Sequence, residues 1–285
     1  MEDRSGQTLS VMDRDNFLRS LIDINGCGLE IGPSFHPLVK KSSGAKVEVV
    51  DYTDAAGLKE HYRGNKHVNV ENIEEVDYVV QSGSIFEAVR KNKYYDYIVA
   101  SHVIEHTPDM LGFLKDCAKL LKDRGILVLA VPDKRHCFDV FQPLTSTGSV
   151  LQAHIDGRIR PTPGAVFDDR AYNAIRNGDI AWGLGATGDL RFYLEMNEAK
   201  AHFATERFTT NYLDVHTWRF VPSSFRLIIN DLYEIGEISL REDRFFDSVG
   251  NEFYVTLSSQ GQGCPVDRLT LAKQMLLEQA QISVV

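Results

Sequence analysis

Cysteine is scarce in this chain, with only Cys27, Cys117, Cys137 and Cys264 among 285 residues and no C-x-x-C pair. That spacing argues against a disulfide framework or a thiolate metal site and fits reduced thiols in a cytoplasmic protein. Long apolar runs are missing too, so no membrane span is expected. The opening MEDRSGQTLS is polar and lacks the apolar stretch of a signal peptide. Positive charge is in deficit, with 31 Lys and Arg against 40 Asp and Glu and a net charge of −9, which argues against a general nucleic-acid binder. Internal repeats and low-complexity tracts are lacking. So are a P-loop, a G-x-S-x-G nucleophile elbow and an H-E-x-x-H metal motif. With 43% hydrophobic residues, the chain is long enough for one elaborated domain with a large core.

What is present is a βα alternation in the first half. Asp13–Ile24 is expected as a helix, with Phe17, Leu18, Leu21 and Ile22 on one face. Strands are expected at Cys27–Ile31, Lys46–Val50, Val76–Val80, Tyr97–Ala100 and Ile126–Val131, and an amphipathic helix at Met110–Lys122. Near-continuous apolar strands separated by helices indicate a parallel sheet covered on both faces. Regular pattern returns with a helix at Pro222–Leu232, a strand near Glu237–Leu240, a strand at Asn251–Leu257 and a last helix from Pro265 onward. The last two strands are expected to close the sheet as an antiparallel pair. The implied organisation is an N-terminal helical segment (1–25), an α/β core (26–131), an inserted acceptor-binding cap (132–215), completion of the core (216–260) and a C-terminal helix (261–285).

The richest stretch is GLEIGPSFHPLVKKSSGAKVEVVD, from Gly28 to Asp51. A short strand carries an acid, Glu30, and meets a tight turn at Gly32. A second strand ends on another acid, Asp51. A nucleoside site in an open α/β sheet needs such a turn for close backbone approach, and an acid about 20 residues on to accept from ribose hydroxyls. The turn GPSFHP does not supply G-x-G-x-x-G, which weakens a pyrophosphate reading and leaves room for a nucleoside without phosphate. Singly, Glu30 and Gly32 suit an ordinary capped turn. In this order and spacing the ligand reading is the better one.

The succession GLEIGPSFHP, VEVVDY, YDYIVASHVIEHTPD and LLKDRGILVLAVPDKR resembles the class I S-adenosylmethionine-dependent methyltransferases. It looks closest to a bacterial small-molecule branch from polysaccharide and glycan biosynthesis. ASHVIEHTPDMLGFL carries the most specific part, and DVHTWRFVPSSF with NEFYVTL is similar to the same branch. The resemblance implies a doubly wound, mostly parallel seven-stranded Rossmann-like sheet with an inserted cap, and S-adenosyl-L-methionine as cofactor. It places Glu30 near the methionine amino group, Gly32 and Ser34 in the glycine-loop position, and Asp51 on the ribose. Ser82, Gly83 and Ser84 fall at the adenine edge, and Ser101 and His102 face the methionine portion. Glu105 and His106 are read as structural.

Acceptor chemistry is expected in the insertion. Asp133, Lys134, Arg135, His136 and Asp139 come directly off the fifth strand, and His154, Arg158, Arg160, Asp214 and His216 follow. For a hydroxyl acceptor, His136 is the first choice of general base and His154 the second, with Asp139 as orienting partner, because imidazole titrates near neutrality. A metal site from His136, His154, Asp139, Asp214 and His216 lacks any short ligand motif, and no metal is expected. The resulting expectation is methyl transfer to an oxygen or nitrogen of a small acceptor, a sugar or sugar-derived metabolite. The alternatives are an NAD-linked sugar oxidoreductase and a non-catalytic cofactor-binding scaffold.

Overall fold

The computed structural model describes residues 13–209 and 213–282; the opening decapeptide read above lies outside them. In chain order the strands are β1 Gly28–Ile31, β2 Val47–Asp51, β3 Tyr78–Val79, β4 Tyr95–Ser101, β5 Leu121–Pro132, β6 Ala174–Arg176, β7 Leu190–Phe192, β8 Arg241–Val249 and β9 Glu252–Ser258. The helices are α1 Arg14–Arg19, α2 Ala55–His61, α3 Ile85–Val89, α4 Met110–Leu120, α5 Thr147–Ile155, α6 Pro163–Tyr172, α7 Met196–Glu206, α8 Pro222–Glu234 and α9 Arg268–Ala280.

Seven strands form one sheet in the order β3-β2-β1-β4-β5-β9-β8. β1 to β5 pair in parallel, and β9 runs antiparallel to both β5 and β8. The strand order reverses between β1 and β4, and the crevice at that switch is where an open α/β sheet takes its ligand. The expected doubly wound sheet is therefore the one observed.

Both faces are buried, which is why these strands read as continuous apolar runs. Leu127, Leu129 and Val131 of β5 face one layer together with Leu111 and Leu114 of α4, Val150 and Ala153 of α5, and Phe225 and Ile229 of α8. Val128 and Ala130 face the other, with Leu18, Leu21, Leu38, Val39 and Tyr254. Gly28 is required by this packing, because a Cβ there would fall 2.0 Å from the Tyr97 ring.

Three expectations are corrected. α1 stops at Arg19 instead of continuing to Ile24. The strand placed near Glu237–Leu240 begins only at Arg241, while Ile238 and Leu240 are buried in the connection from α8. β8 is an edge strand with much exposed surface, so its polar sequence hid it. α4 ends at Leu120 and β5 already begins at Leu121, before the expected Ile126. Between β5 and α8 the described residues hold three helices and the β6–β7 hairpin. α7 was illegible because only Ala199 is buried along it.

Candidate active site

The crevice at the carboxyl ends of β1, β2 and β4 is shaped by a strained turn. Gly32 has φ +63°, and its N–H donates to Val50 O at 2.8 Å. Ser34 follows with φ +52°, a left-handed conformation uncommon outside glycine. What holds it is Asp51, whose Oδ2 accepts the Ser34 N–H at 3.0 Å while Oδ1 accepts the Tyr52 N–H at 2.8 Å. Ser34 Oγ also donates to Tyr62 Oη at 2.9 Å. The turn and the acid at the end of β2 are thus one unit. Burial raises the Asp51 pKa against these two N–H donors. Each carboxylate oxygen keeps a further lone pair for a hydroxyl donor.

Glu30 is 3% exposed and accepts the Leu38 N–H at 2.6 Å and the Val39 N–H at 3.0 Å. It therefore shapes the segment that leaves the turn. Burial outweighs these donors and pushes its pKa up from 4.5 to about 7. Between those values the folded state holds a proton that the unfolded state has released, so stability falls as pH rises through this window. The span corresponds to about 3 kcal/mol. Glu30→Gln should flatten that part of the pH–stability curve when urea unfolding is followed from pH 4.5 to 7.5. Parallel curves for the two proteins would show that Glu30 is not the titrating group.

Across the switch, β4 ends at Ser101 and the chain turns through His102, again at positive φ (+53°). His102 Nε2 lies 2.7 Å from Glu252 Oε2 at the start of β9, and Nδ1 lies 3.4 Å from Glu105 Oε1. Burial opposes charge on this ring, but the two carboxylates prevail and push its pKa up to about 9. Glu252 is held down to about 2 against its own burial by Arg14 and His102. The Arg14 guanidinium of α1 grips both Glu252 oxygens and donates to Ser101 Oγ at 2.7 Å. Tyr254 Oη adds a bond to Glu252 at 2.8 Å. α1 is thereby clamped over the ends of β4 and β9.

A second polar group lies beyond His102. Glu105 is fully buried in the turn after β4, and neither carboxylate oxygen receives a hydrogen bond. Its backbone carbonyl accepts the N–H groups of Thr217 and Trp218 at 2.7 and 3.1 Å, and the Trp218 indole N–H donates to Thr107 O at 2.5 Å. This docking brings His216 in, with its Nε2 3.9 Å from Glu105 Oε1. His106 Nε2 is 3.8 Å from the same oxygen, and the two rings meet edge to face at 4.6 Å. His216 Nδ1 is 2.5 Å from Asp139 Oδ2, and His106 Nδ1 is 2.8 Å from Asp214 Oδ1. Burial would raise the pKa of Asp139, but His216 and Arg219 hold it low.

Residues 9–188 match the family described as methyltransferase domain. The chain belongs to that family. No curated protein matches it. Among solved structures, an S-adenosylmethionine-dependent methyltransferase from Mesorhizobium loti shares 9% identity over 85% of this chain and 95% of its own, with a TM-score of 0.43. A SAM-dependent methyltransferase from Aquifex aeolicus shares 13% over 86% and 89%, with a TM-score of 0.41. A SAM-dependent methyltransferase from Thermotoga maritima shares 19% over 41% of this chain and 49% of its own, with a TM-score of 0.30. The chain spans about half or less of the length of the first solved structures it matches. Overlaps this loose decide nothing about chemistry.

Within this methyltransferase domain, Glu30, Gly32, Ser34, Asp51, Ser101 and His102 all lie around the switch. Gly83 (φ +87°) sits just past β3, whose Val79 pairs with Asp51. Ser82 beside it is exposed. Ser84 is tied elsewhere: its Oγ caps α3 by accepting the Glu87 N–H and donates to Asp116 Oδ2 at 2.7 Å.

The three residues expected to form the base are not brought together. Asp139 serves His216, not His136. His136 is buried, has no partner for Nε2, and has its pKa lowered by burial. His154 lies against Asp109 Oδ2 at 2.7 Å and Lys115 Nζ at 3.3 Å in the helical layer. Asp133 and Arg135, expected at the ligand crevice, form a buried bidentate ion pair. Lys134 donates to Val140 O at 2.8 Å. Four polar residues just after a strand suggested a crevice lining, but the strand end is itself covered. Arg14 and Glu252 escaped sequence reading, since each finds its partner more than 200 residues away.

Proposed function

We propose that this protein transfers the methyl group of S-adenosylmethionine to an oxygen or nitrogen of a small acceptor, a sugar or sugar-derived metabolite. The observation that carries the reading is the unit of Gly32, Ser34 and Asp51 at the switch between β1 and β4, in a chain of the methyltransferase-domain family. The cofactor's ribose would donate to Asp51, its adenine would lie toward Gly83, and its methionine portion would face Ser101 and His102.

The new C–O or C–N bond forms as the methyl–sulfur bond breaks, its electron pair stays on sulfur, and the acceptor loses a proton. The sulfonium is already activated, so alignment and exclusion of water supply most of the acceleration. With the cofactor placed so, the buried polar group of Glu105, His106, Asp139 and His216 would border the sulfonium side and would suit an acceptor rich in hydroxyls. The 132–215 stretch would serve as the cap that chooses the acceptor.

The oxidoreductase alternative gains nothing from the run Gly183–Gly188, which spells G-x-G-x-x-G. It lies in the β6–β7 connection and leads into a strand, so no helix N-terminus follows to receive a pyrophosphate. Incubation with methyl-labelled S-adenosylmethionine and panels of sugars, sugar nucleotides and amines should move label into a hydroxylated acceptor. Tight NAD binding with no affinity for S-adenosylhomocysteine would reject the proposal.

A further inference from the structure

We propose that Glu105, His106 and His216 form a binding site for one divalent transition-metal ion of the zinc–cobalt–iron class. Three observations carry it. One carboxylate oxygen and two imidazole nitrogens lie within 4.8 Å of one another. Two ligands about 2.1 Å from a common ion can be at most about 4.2 Å apart. The 3.8 and 3.9 Å from Glu105 Oε1 to the two Nε2 atoms already meet that limit, so only small side-chain shifts close the site.

The second observation is the carboxylate itself. Glu105 has no exposed surface, and both of its oxygens lack a hydrogen bond. A carboxylate left like this costs several kcal/mol unless a cation meets it. His102 at 3.4 Å is also held by Glu252. The third is the orientation of the rings. Each of the two histidines turns its Nδ1 to an aspartate, His216 to Asp139 and His106 to Asp214, leaving both Nε2 atoms on Glu105. The His216–Asp139 pair is a hydrogen bond of the kind that fixes the tautomer and aims the other nitrogen at a metal, whereas His106 Nδ1 is only close to Asp214 and has no hydrogen bond.

Two imidazoles and one carboxylate suit zinc or a neighbouring divalent ion and leave coordination positions open. On the methyl-transfer reading, an acceptor oxygen would fill one of them. Coordination would lower its pKa and make a separate general base unnecessary. Only this role rests on that reading; ion binding does not.

The test is titration of the chelator-stripped full chain with Co2+, followed by visible d–d absorption, and with Zn2+ by calorimetry. One ion per chain is expected. His106→Ala and His216→Ala should each weaken binding by at least about a hundredfold, and Asp139→Asn by about 10–100-fold as expected for an outer partner. His67→Ala, an exposed histidine elsewhere, should bind as the wild type does. Circular dichroism checks that each variant is folded. No stoichiometric binding by folded wild-type protein would overturn the proposal, with protons on His102 and His106 then balancing Glu105. Unchanged binding in both histidine variants would do the same. S-adenosylhomocysteine titrated into the same stripped protein separates the two ideas. Nucleoside binding by a chain that takes up no added ion defeats the metal site alone, and ion uptake by a chain that binds no nucleoside defeats the methyl-transfer reading alone.

Discussion

Replacing Asp133 with alanine is expected to lower folding stability by about 3–5 kcal/mol, the usual consequence of leaving a buried charge without its partner. Asp133 is fully buried at the end of β5. It accepts from Arg135 Nε at 2.9 and 3.0 Å and from Nη2 at 2.5 Å, and from Ser248 Oγ at 2.6 Å. Ser248 lies on β8, so this carboxylate ties the fifth strand to the edge of the sheet. Arg135 is 7% exposed and, among the described residues, would keep only Gln281 as a side-chain hydrogen-bond partner. Removing both charges with Asp133→Asn and Arg135→Met should cost less than the single change, because no unpaired ion remains. Urea unfolding of the single and double variants measures this. A loss below about 1 kcal/mol for Asp133→Ala would mean that water reaches the pair and screens it.

Asp51→Ala is expected to weaken S-adenosylhomocysteine binding by about ten- to a hundredfold or somewhat more. Hydrogen bonds to a charged acceptor contribute about 1.5–3 kcal/mol, and each 1.4 kcal/mol is tenfold in affinity. The structure adds a second route to the same loss, since Asp51 also restrains Ser34 in its left-handed conformation. The two routes separate with Ser34→Gly, which relieves the backbone strain and keeps the carboxylate. Near-normal affinity in Ser34→Gly and a large loss in Asp51→Ala, both by calorimetry, would locate the effect in the ribose contact. Unchanged affinity in Asp51→Ala would remove Asp51 from the cofactor site.

Sequence reading succeeds here where the physics is local. Leu127, Val128, Leu129, Ala130 and Val131 are all buried, so the parallel sheet is legible in a five-residue run. The pairing of Gly32 with Asp51 is legible because strand length and one crossover set their separation. The acceptor side is different. Asp133 and Arg135 had the right composition for a ligand surface, and only burial shows them to be structural. His216 becomes significant because Thr217 and Trp218 donate to the carbonyl of Glu105, a contact that no pattern near either residue announces. Glu105 and His106, read as structural from their setting in a turn, stand at the centre of the polar cluster.

The clamp between α1 and β9 also bears on the order of folding. Arg14 and Glu252 are 238 residues apart, and Glu252 also takes up His102. Closing so long a loop is entropically unfavourable until much of the sheet is already formed. On the ribosome, β1 to β5 are complete long before Glu252 is made. Until then His102 lacks its nearer carboxylate and α1 has no Glu252 to close on. The crevice is therefore finished by the last strand of its own sheet, and a chain arrested before β9 would carry most of the crevice residues without the fastening that holds them.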